Sequence, residues 1–138
     1  MEIGQARGVR TVMNEAIQAF IDSINAHDVE SLAKLMSDDH LFIDPHGNEM
    51  RGRETMTAGW RGYFEWFPDY YIEISEVFQN AESFAMLGFA GGSFKGNADA
   101  KWRLPAAWKA SVRDGRIALW QVFADTKIPF EMIARSNP

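Results

Sequence analysis

The sequence predicts an α+β fold in which a strongly bent antiparallel sheet forms a cone, covered on its inner face by three N-terminal helices. Two observations carry this. The apolar spacing is mostly helical up to Phe67 and becomes the strict alternation of strands beyond it. Helices gathered on one face of an antiparallel sheet are the layer arrangement that buries both sets of apolar side chains. A third observation supplies the bend: the run "ESFAMLGFAGGSF" is apolar on both faces, and glycines at 88, 91, 92 and 96 permit bulges there.

Each element follows in chain order. Val9, Val12, Met13, Ala16, Ile17, Phe20, Ile21 and Ile24 fall on one stripe of a helix from about Val9 to Ala26. Asp28 is the N-cap expected for a second, short helix, "VESLAKLMS", with Val29, Leu32, Leu35 and Met36 on its apolar face. Leu41, Phe42 and Ile43 form a short strand that runs into a "PHGN" turn. "GRETMTAGWRGYFEWF" follows as a third helix stopped by Pro68. In the strand half, Trp102, Leu104, Ala106, Trp108, Ala110 and Val112 alternate with Lys101, Arg103 and Lys109, so one face is buried and the other largely wet. Asp114-Gly115 joins this strand to the next in a hairpin. A short segment, "KIPFEMIARSNP", closes the chain. All 138 residues form a single domain, with residues 1–8 as a flexible N-terminus.

Composition narrows the function classes. A net charge of −5 with scattered lysines and arginines gives no footprint for nucleic acid or anionic lipid. No run approaches the length of a membrane span and no signal-peptide core is present, so the cytoplasm is the expected compartment. Zero cysteines exclude disulfides, thiolate nucleophiles and cysteine-bound metal, and no metal or cofactor is expected. Asp38-Asp39-His40 reads as a solvated end of the second helix.

The candidate chemistry lies where strands leave the core. Phe42, Asp44 and His46 share a face if their strand continues; should that face look into the cone, Asp44 is a carboxylate in an apolar pocket, suited to be a general base. The alternative is an Asp-Pro-His-Gly turn in which Asp44 bonds to its own backbone. His46 either assists Asp44 or is a solvated loop histidine. Asp125, at the end of the last long strand, is either a second base or the N-cap of a short helical turn, and which face of that strand looks inward is not readable. Trp60, Tyr63, Phe67, Trp102 and Trp108 supply aromatic walls for a substrate.

The stretch "INAHDVESLAKLMSDDHLFIDPHGNEMRGRETM" resembles the nuclear transport factor 2-like superfamily, which has a cystatin-like, cone-shaped fold, and within it the SnoaL-like polyketide cyclase and ketosteroid isomerase-related branches. The likeness lies in an arrangement: a helix ending in "N-A-x-D", a second ending in "L-M-S-D-D", a strand ending in "D-P" and "R-G-R-E" opening the third helix. "FPDYYIEI", the "DGRI" hairpin and "FADTKIPFEMI" extend it over nearly the whole chain. The resemblance implies that Asp44 occupies the place of the isomerase base and Asp125 that of the cyclase base. It also implies that the isomerase's oxyanion donors would fall at about Phe20 and Trp108, neither of which replaces them, so steroid isomerisation by that mechanism is not expected.

Two functions stay open at this point. The first is a small-molecule enzyme of cyclase, isomerase or lyase type using an aspartate base on an apolar, carbonyl-containing substrate, with Phe20, Trp60, Tyr63, Phe67, Trp102 and Trp108 around it. The second is a non-catalytic ligand-binding or dimeric interaction module of the same fold. In either case the two-faced apolar strand calls for cover, and a homodimer through the outer face of the sheet is the expected supply.

Overall fold

The computed structural model of the protein describes residues 14–136. The Val9–Met13 part of the expected helical stripe and residues 1–8 lie outside the described residues. Helix α1 (Glu15–Ala26) begins at Asn14, whose side chain accepts hydrogen bonds from the Ala16 and Ile17 amides. It buries Ile17, Phe20, Ile21 and Ile24. His27, left-handed at φ 56°, ends it. Asp28 then caps α2 (Val29–Leu35) as expected, accepting from the Ser31 amide and hydroxyl.

Strand β1 (Met36–Ile43) begins earlier than the sequence suggested. Met36 and Ser37 are strand rather than helix, and the Asp38-Asp39-His40 group is not a solvated helix end. His40 is 0% exposed, its Nδ1–H donating to the Ile117 carbonyl at 2.7 Å. That tie draws β1 alongside the strand holding Ile117, 77 residues away in the chain. Asp38 and Asp39 face outward onto Arg53 and Arg113 respectively. A short strand unforeseen in the sequence, β2 (Glu49–Arg51), folds back on β1 with Leu41 opposite Arg51 and Ile43 opposite Glu49.

Helix α3 (Arg53–Trp66) buries Met56, Trp60 and Phe64, and Pro68 follows shortly after its end. Four long strands come next: β3 (Tyr71–Asn80), β4 (Ser83–Ser93), β5 (Lys101–Arg113) and β6 (Arg116–Ala124), with a ten-residue helix, α4 (Lys127–Ser136), at the end. The sheet order is β2-β1-β6-β5-β4-β3, antiparallel throughout except where β1 lies parallel to β6. The β5–β6 hairpin turns on Asp114 and Gly115, both at positive φ. Gly88 sits opposite a bulge in β3 between Ile74 and Glu76. A Cβ there would meet the Glu73 carbonyl oxygen at 1.8 Å, so only glycine allows β3 and β4 this close.

The inner face of the sheet is divided. Helix α1 packs on β3, β5 and β6, and Trp108, Ala110 and Val112 of β5 are buried. Trp102, Leu104 and Ala106, nearer the start of β5, instead border an open cavity beside α3 and α4. The outer face carries Leu87, Phe123 and Phe78, 41%, 48% and 53% exposed, with Leu87, Ala107 and Phe123 aligned across three strands. Among the described residues no helix is long and apolar enough to cross a membrane.

Candidate functional site

The cavity measures about 340 Å³, within the roughly 300–1,000 Å³ range of small-molecule sites. Its wall is built from α3 (Met56, Trp60, Tyr63), the start of β5, alternate residues of β6 (Trp120, Val122, Ala124), Phe42 of β1, and Phe130 and Ile133 of α4. Met50, Trp66 and Phe130, themselves 37%, 45% and 51% exposed, mark where that wall meets solvent.

Asp44 is the one carboxylate in the wall among the described residues. It also organises the turn between β1 and β2, as the turn reading expects. Its Oδ1 accepts from the His46 amide at 2.8 Å and the Asn48 amide at 2.9 Å, and its Oδ2 from the Asn48 side-chain amide at 3.1 Å. Partial burial pushes its pKa up, but the bonds from Asn48 and His46, together with the His46 charge, outweigh this and hold it below the ordinary carboxylate value. A carboxylate offers about four lone-pair directions. Three are used here, which leaves one for a ligand.

His46 does not turn its ring to Asp44. Its Nε2 lies 2.9 Å from Thr126 Oγ1, and the ring stacks on Phe130 at 5.0 Å with the planes 4° apart. It thereby brackets the start of α4 against the β1–β2 turn, beside the cavity. Asp125 is set outside the wall. Trp120, Val122 and Ala124 of β6, and Thr126 beyond its end, border the cavity, whereas Asp125 borders a shallow outer depression and accepts from the Lys127 amide at 3.1 Å, as an N-cap does.

Of the aromatic candidates, Trp60, Tyr63, Phe67 and Trp102 line the cavity. Phe20 and Trp108 do not. Phe20 is 0% exposed behind the wall, its ring 4.8 Å from that of Trp120, and Trp108 is 2% exposed in the filled half of the sheet's inner face. Sequence reasoning missed Tyr70. It is 7% exposed, borders the cavity, and stands edge-on to Tyr63 with ring centroids 4.9 Å apart. The available signal was the pair of aromatic residues, "YY", just after Pro68-Asp69, where a solvated turn would favour small polar residues. Burial raises the pKa of both phenols far above the ordinary tyrosine value, so both stay protonated donors. The indole nitrogens of Trp60 and Trp102 are buried without a hydrogen-bond partner among the described residues. Asp38, Asp39 and His40 point to Arg53, Arg113 and Ile117, so they do not converge on a shared ion.

A profile of the SnoaL-like domain family matches residues 17–120. No curated protein matches the chain by sequence. Among solved structures, a protein from Shewanella denitrificans OS-217 assigned as a SnoaL-like polyketide cyclase superposes with a TM-score of 0.74 at 15% identity, over 88% of this chain and 96% of that one. IdmH of Streptomyces antibioticus, assigned as a polyketide cyclase, gives 0.71 at 21% identity over 87% and 96%. An M. tuberculosis epoxide hydrolase of the LEH-like type gives 0.72 at 17% identity over 87% of each. At these identities the likeness is one of fold, the cone shared by ketosteroid isomerase-like and cystatin-like structures.

Proposed function

Because the chain belongs to the SnoaL-like domain family and its apolar cavity has, among the described residues, a single carboxylate in its wall, we propose that it acts on an apolar, carbonyl-bearing small molecule as a cyclase, isomerase or lyase. The observation that carries this is the placement of Asp44. Its carboxylate takes a proton from the carbon next to a carbonyl. The C–H electron pair becomes a carbon–carbon double bond and the carbonyl π pair moves to oxygen, giving an enolate. Return of the proton to another carbon isomerises the substrate. Attack of the enolate carbon on a second carbonyl of the same molecule closes a ring, and loss of a β leaving group makes the reaction a lyase.

Asp44 is ionised at neutral pH but is a weak base, since hydrogen bonds hold its pKa low. The substrate this favours has an acidic C–H, such as one between two carbonyls. Steroid isomerisation is not part of the proposal, because the two positions where its donors would fall are Phe20 and Trp108, which do not line the cavity. Asp125 is not part of it either.

The test is deuterium uptake from D2O next to the carbonyl in a panel of apolar ketones and dicarbonyls, followed by NMR for wild type and Asp44→Asn, with thermal melts to verify folding. Uptake lost in a folded Asp44→Asn supports the reading; uptake that persists there removes Asp44 from the role. A second reading, ligand binding without turnover, is favoured by the three hydrogen bonds that already occupy Asp44. It predicts binding with no uptake in either protein. In both readings the outer face pairs with a second copy. Its apolar row of Leu87, Ala107 and Phe123 is flanked by Glu73, Glu76, Arg103 and Lys109, charges of both signs that a two-fold axis would make self-complementary. Sedimentation of wild type against Leu87→Lys checks this.

A further inference from the structure

The cavity is bordered by two phenols whose hydroxyls have no hydrogen-bond partner among the described residues. Tyr63, on α3, and Tyr70, just before β3, both border it. Neither phenol makes a hydrogen bond among the described residues, and burial, with their mutual proximity, is the whole cause of their altered acidity. Neither oxygen is among the fully buried polar atoms left without a partner, so both hydroxyls open onto the cavity, where a ligand can meet them.

Tyr70 is held firmly at the cavity's edge. His27, the left-handed residue ending α1, donates from Nε2 to the Tyr70 carbonyl at 2.7 Å, with its ring stacked 4.1 Å from Phe64. Two residues on, the Asn25 side chain takes both the N–H and the C=O of Ile72, at 2.8 and 3.0 Å. One residue before, Asp69 accepts from the Ser93 amide and hydroxyl at 2.8 and 2.6 Å. Three independent ties thus fix the backbone on which Tyr70 stands. The Tyr63 ring is fixed in turn by Tyr70 on one side and Phe67, at 5.0 Å, on the other.

We infer that Tyr63 and Tyr70 are the carbonyl-recognising donors of the cavity, their two O–H groups set to meet one oxygen of the ligand. Preorganised donors aimed at an oxygen that gains negative charge stabilise that charge without reorganising when it forms. This deepens the reading given above and rests on it: the enolate oxygen formed when Asp44 removes the proton would sit on the two phenols. It also explains how a weak base can suffice, because the donors raise the acidity of the C–H that Asp44 attacks. The ligand class is then narrower than "apolar": it must carry a ketone, enol or similar acceptor on an apolar body.

The experiment compares two probes of nearly equal shape, acetylnaphthalene and isopropenylnaphthalene, which differ in having an oxygen or a methylene at one position. Binding is read by quenching of tryptophan fluorescence in wild type, Tyr63→Phe, Tyr70→Phe and the double variant. Wild type should prefer the ketone by about tenfold, as one or two net hydrogen bonds supply. The double variant should lose the preference, binding the ketone about tenfold more weakly while its affinity for the hydrocarbon stays unchanged. The ketone's C=O stretching band should fall in frequency on wild type and recover on the double variant. Thermal midpoints of the variants should match wild type, since hydroxyls without a protein partner leave nothing unpaired when removed. A preference for the ketone that survives in the double variant overturns the assignment and leaves the cavity reading intact. Strong destabilisation by either Tyr→Phe change also overturns it, since that reveals a structural bond. Binding of neither probe by wild type overturns both readings together.

Discussion

Replacing Asn25 by alanine tests how the fold builds the part of the site that the sequence did not reveal. Strand β3 is an edge of the sheet, and Ile72 there is 3% exposed. On its free side its amide and carbonyl meet, among the described residues, only the Asn25 side chain, at 2.8 and 3.0 Å. Alanine removes both bonds at once and leaves two nearly buried backbone groups unsatisfied. A net hydrogen bond contributes about 0.5–1.5 kcal/mol, and an orphaned buried group costs about 1–3 kcal/mol. Because the site is partly buried and water can reach one group, the expected loss is about 2–3 kcal/mol. For a domain of this size each kcal/mol moves the thermal midpoint by roughly 3–5 °C, so the midpoint should fall by roughly 6–15 °C. Urea unfolding gives the free energy, and hydrogen exchange at the Ile72 amide locates the effect. Asn25→Asp is the control: it keeps the acceptor for the Ile72 amide but sets an oxygen against the Ile72 carbonyl, and should be no better than alanine. A loss below about 0.5 kcal/mol with unchanged exchange at Ile72 would refute the claim that Asn25 holds this edge. Ligand affinity should fall with stability, since Tyr70 lies two residues away.

Three further outcomes follow from the geometry. Asp44 and Asp69 both have pKa values held below the ordinary carboxylate value; a depressed folded-state pKa contributes stability above the unfolded value of about 3.9 that is lost as pH falls through the folded one. Urea unfolding across that acid range should therefore steepen with acidification, and Asp69→Asn should flatten the slope. Gly88→Ala forces a Cβ onto the Glu73 carbonyl and should cost about 2–4 kcal/mol in the same assay, whereas Gly62→Ala, with nothing within 4 Å of its Cβ in the middle of α3, should gain about 0.5–1 kcal/mol. His46→Ala removes the stack on Phe130 and the contact with Thr126, so amide exchange in α4 should quicken while that in the β5–β6 hairpin stays unchanged.

What the sequence made legible was local. The Asp28 cap, the Asp114-Gly115 hairpin and the inward row of β5 depend on near neighbours, and each is found where the pattern placed it. What it hid depends on partners far along the chain. His40 reads as part of a solvated helix end until the Ile117 carbonyl is set beside it. Tyr70 reads only as the opening of a strand pattern until His27 and Asn25, more than 40 residues earlier, are set against its segment. The face of Asp125 was undecidable because strand parity has no meaning until one residue of β6 is known to point inward. Phe20 and Trp108 were placed on the wall because they share an apolar face with it; which half of that face is filled depends on where α1 crosses the sheet.

The central claim is that the Asp44 carboxylate meets a bound ligand inside the cavity. The most direct measurement is the NMR titration of the Asp44 side-chain carbonyl carbon, free and saturated with acetylnaphthalene, with Asp44→Asn to assign the signal. Free, it should titrate below about 3.9, held there by Asn48 and His46. Ligand bound should displace water from the last open lone pair and move the midpoint upward. A midpoint unchanged by a ligand that demonstrably binds would place Asp44 in the turn alone and contradict its role as the base.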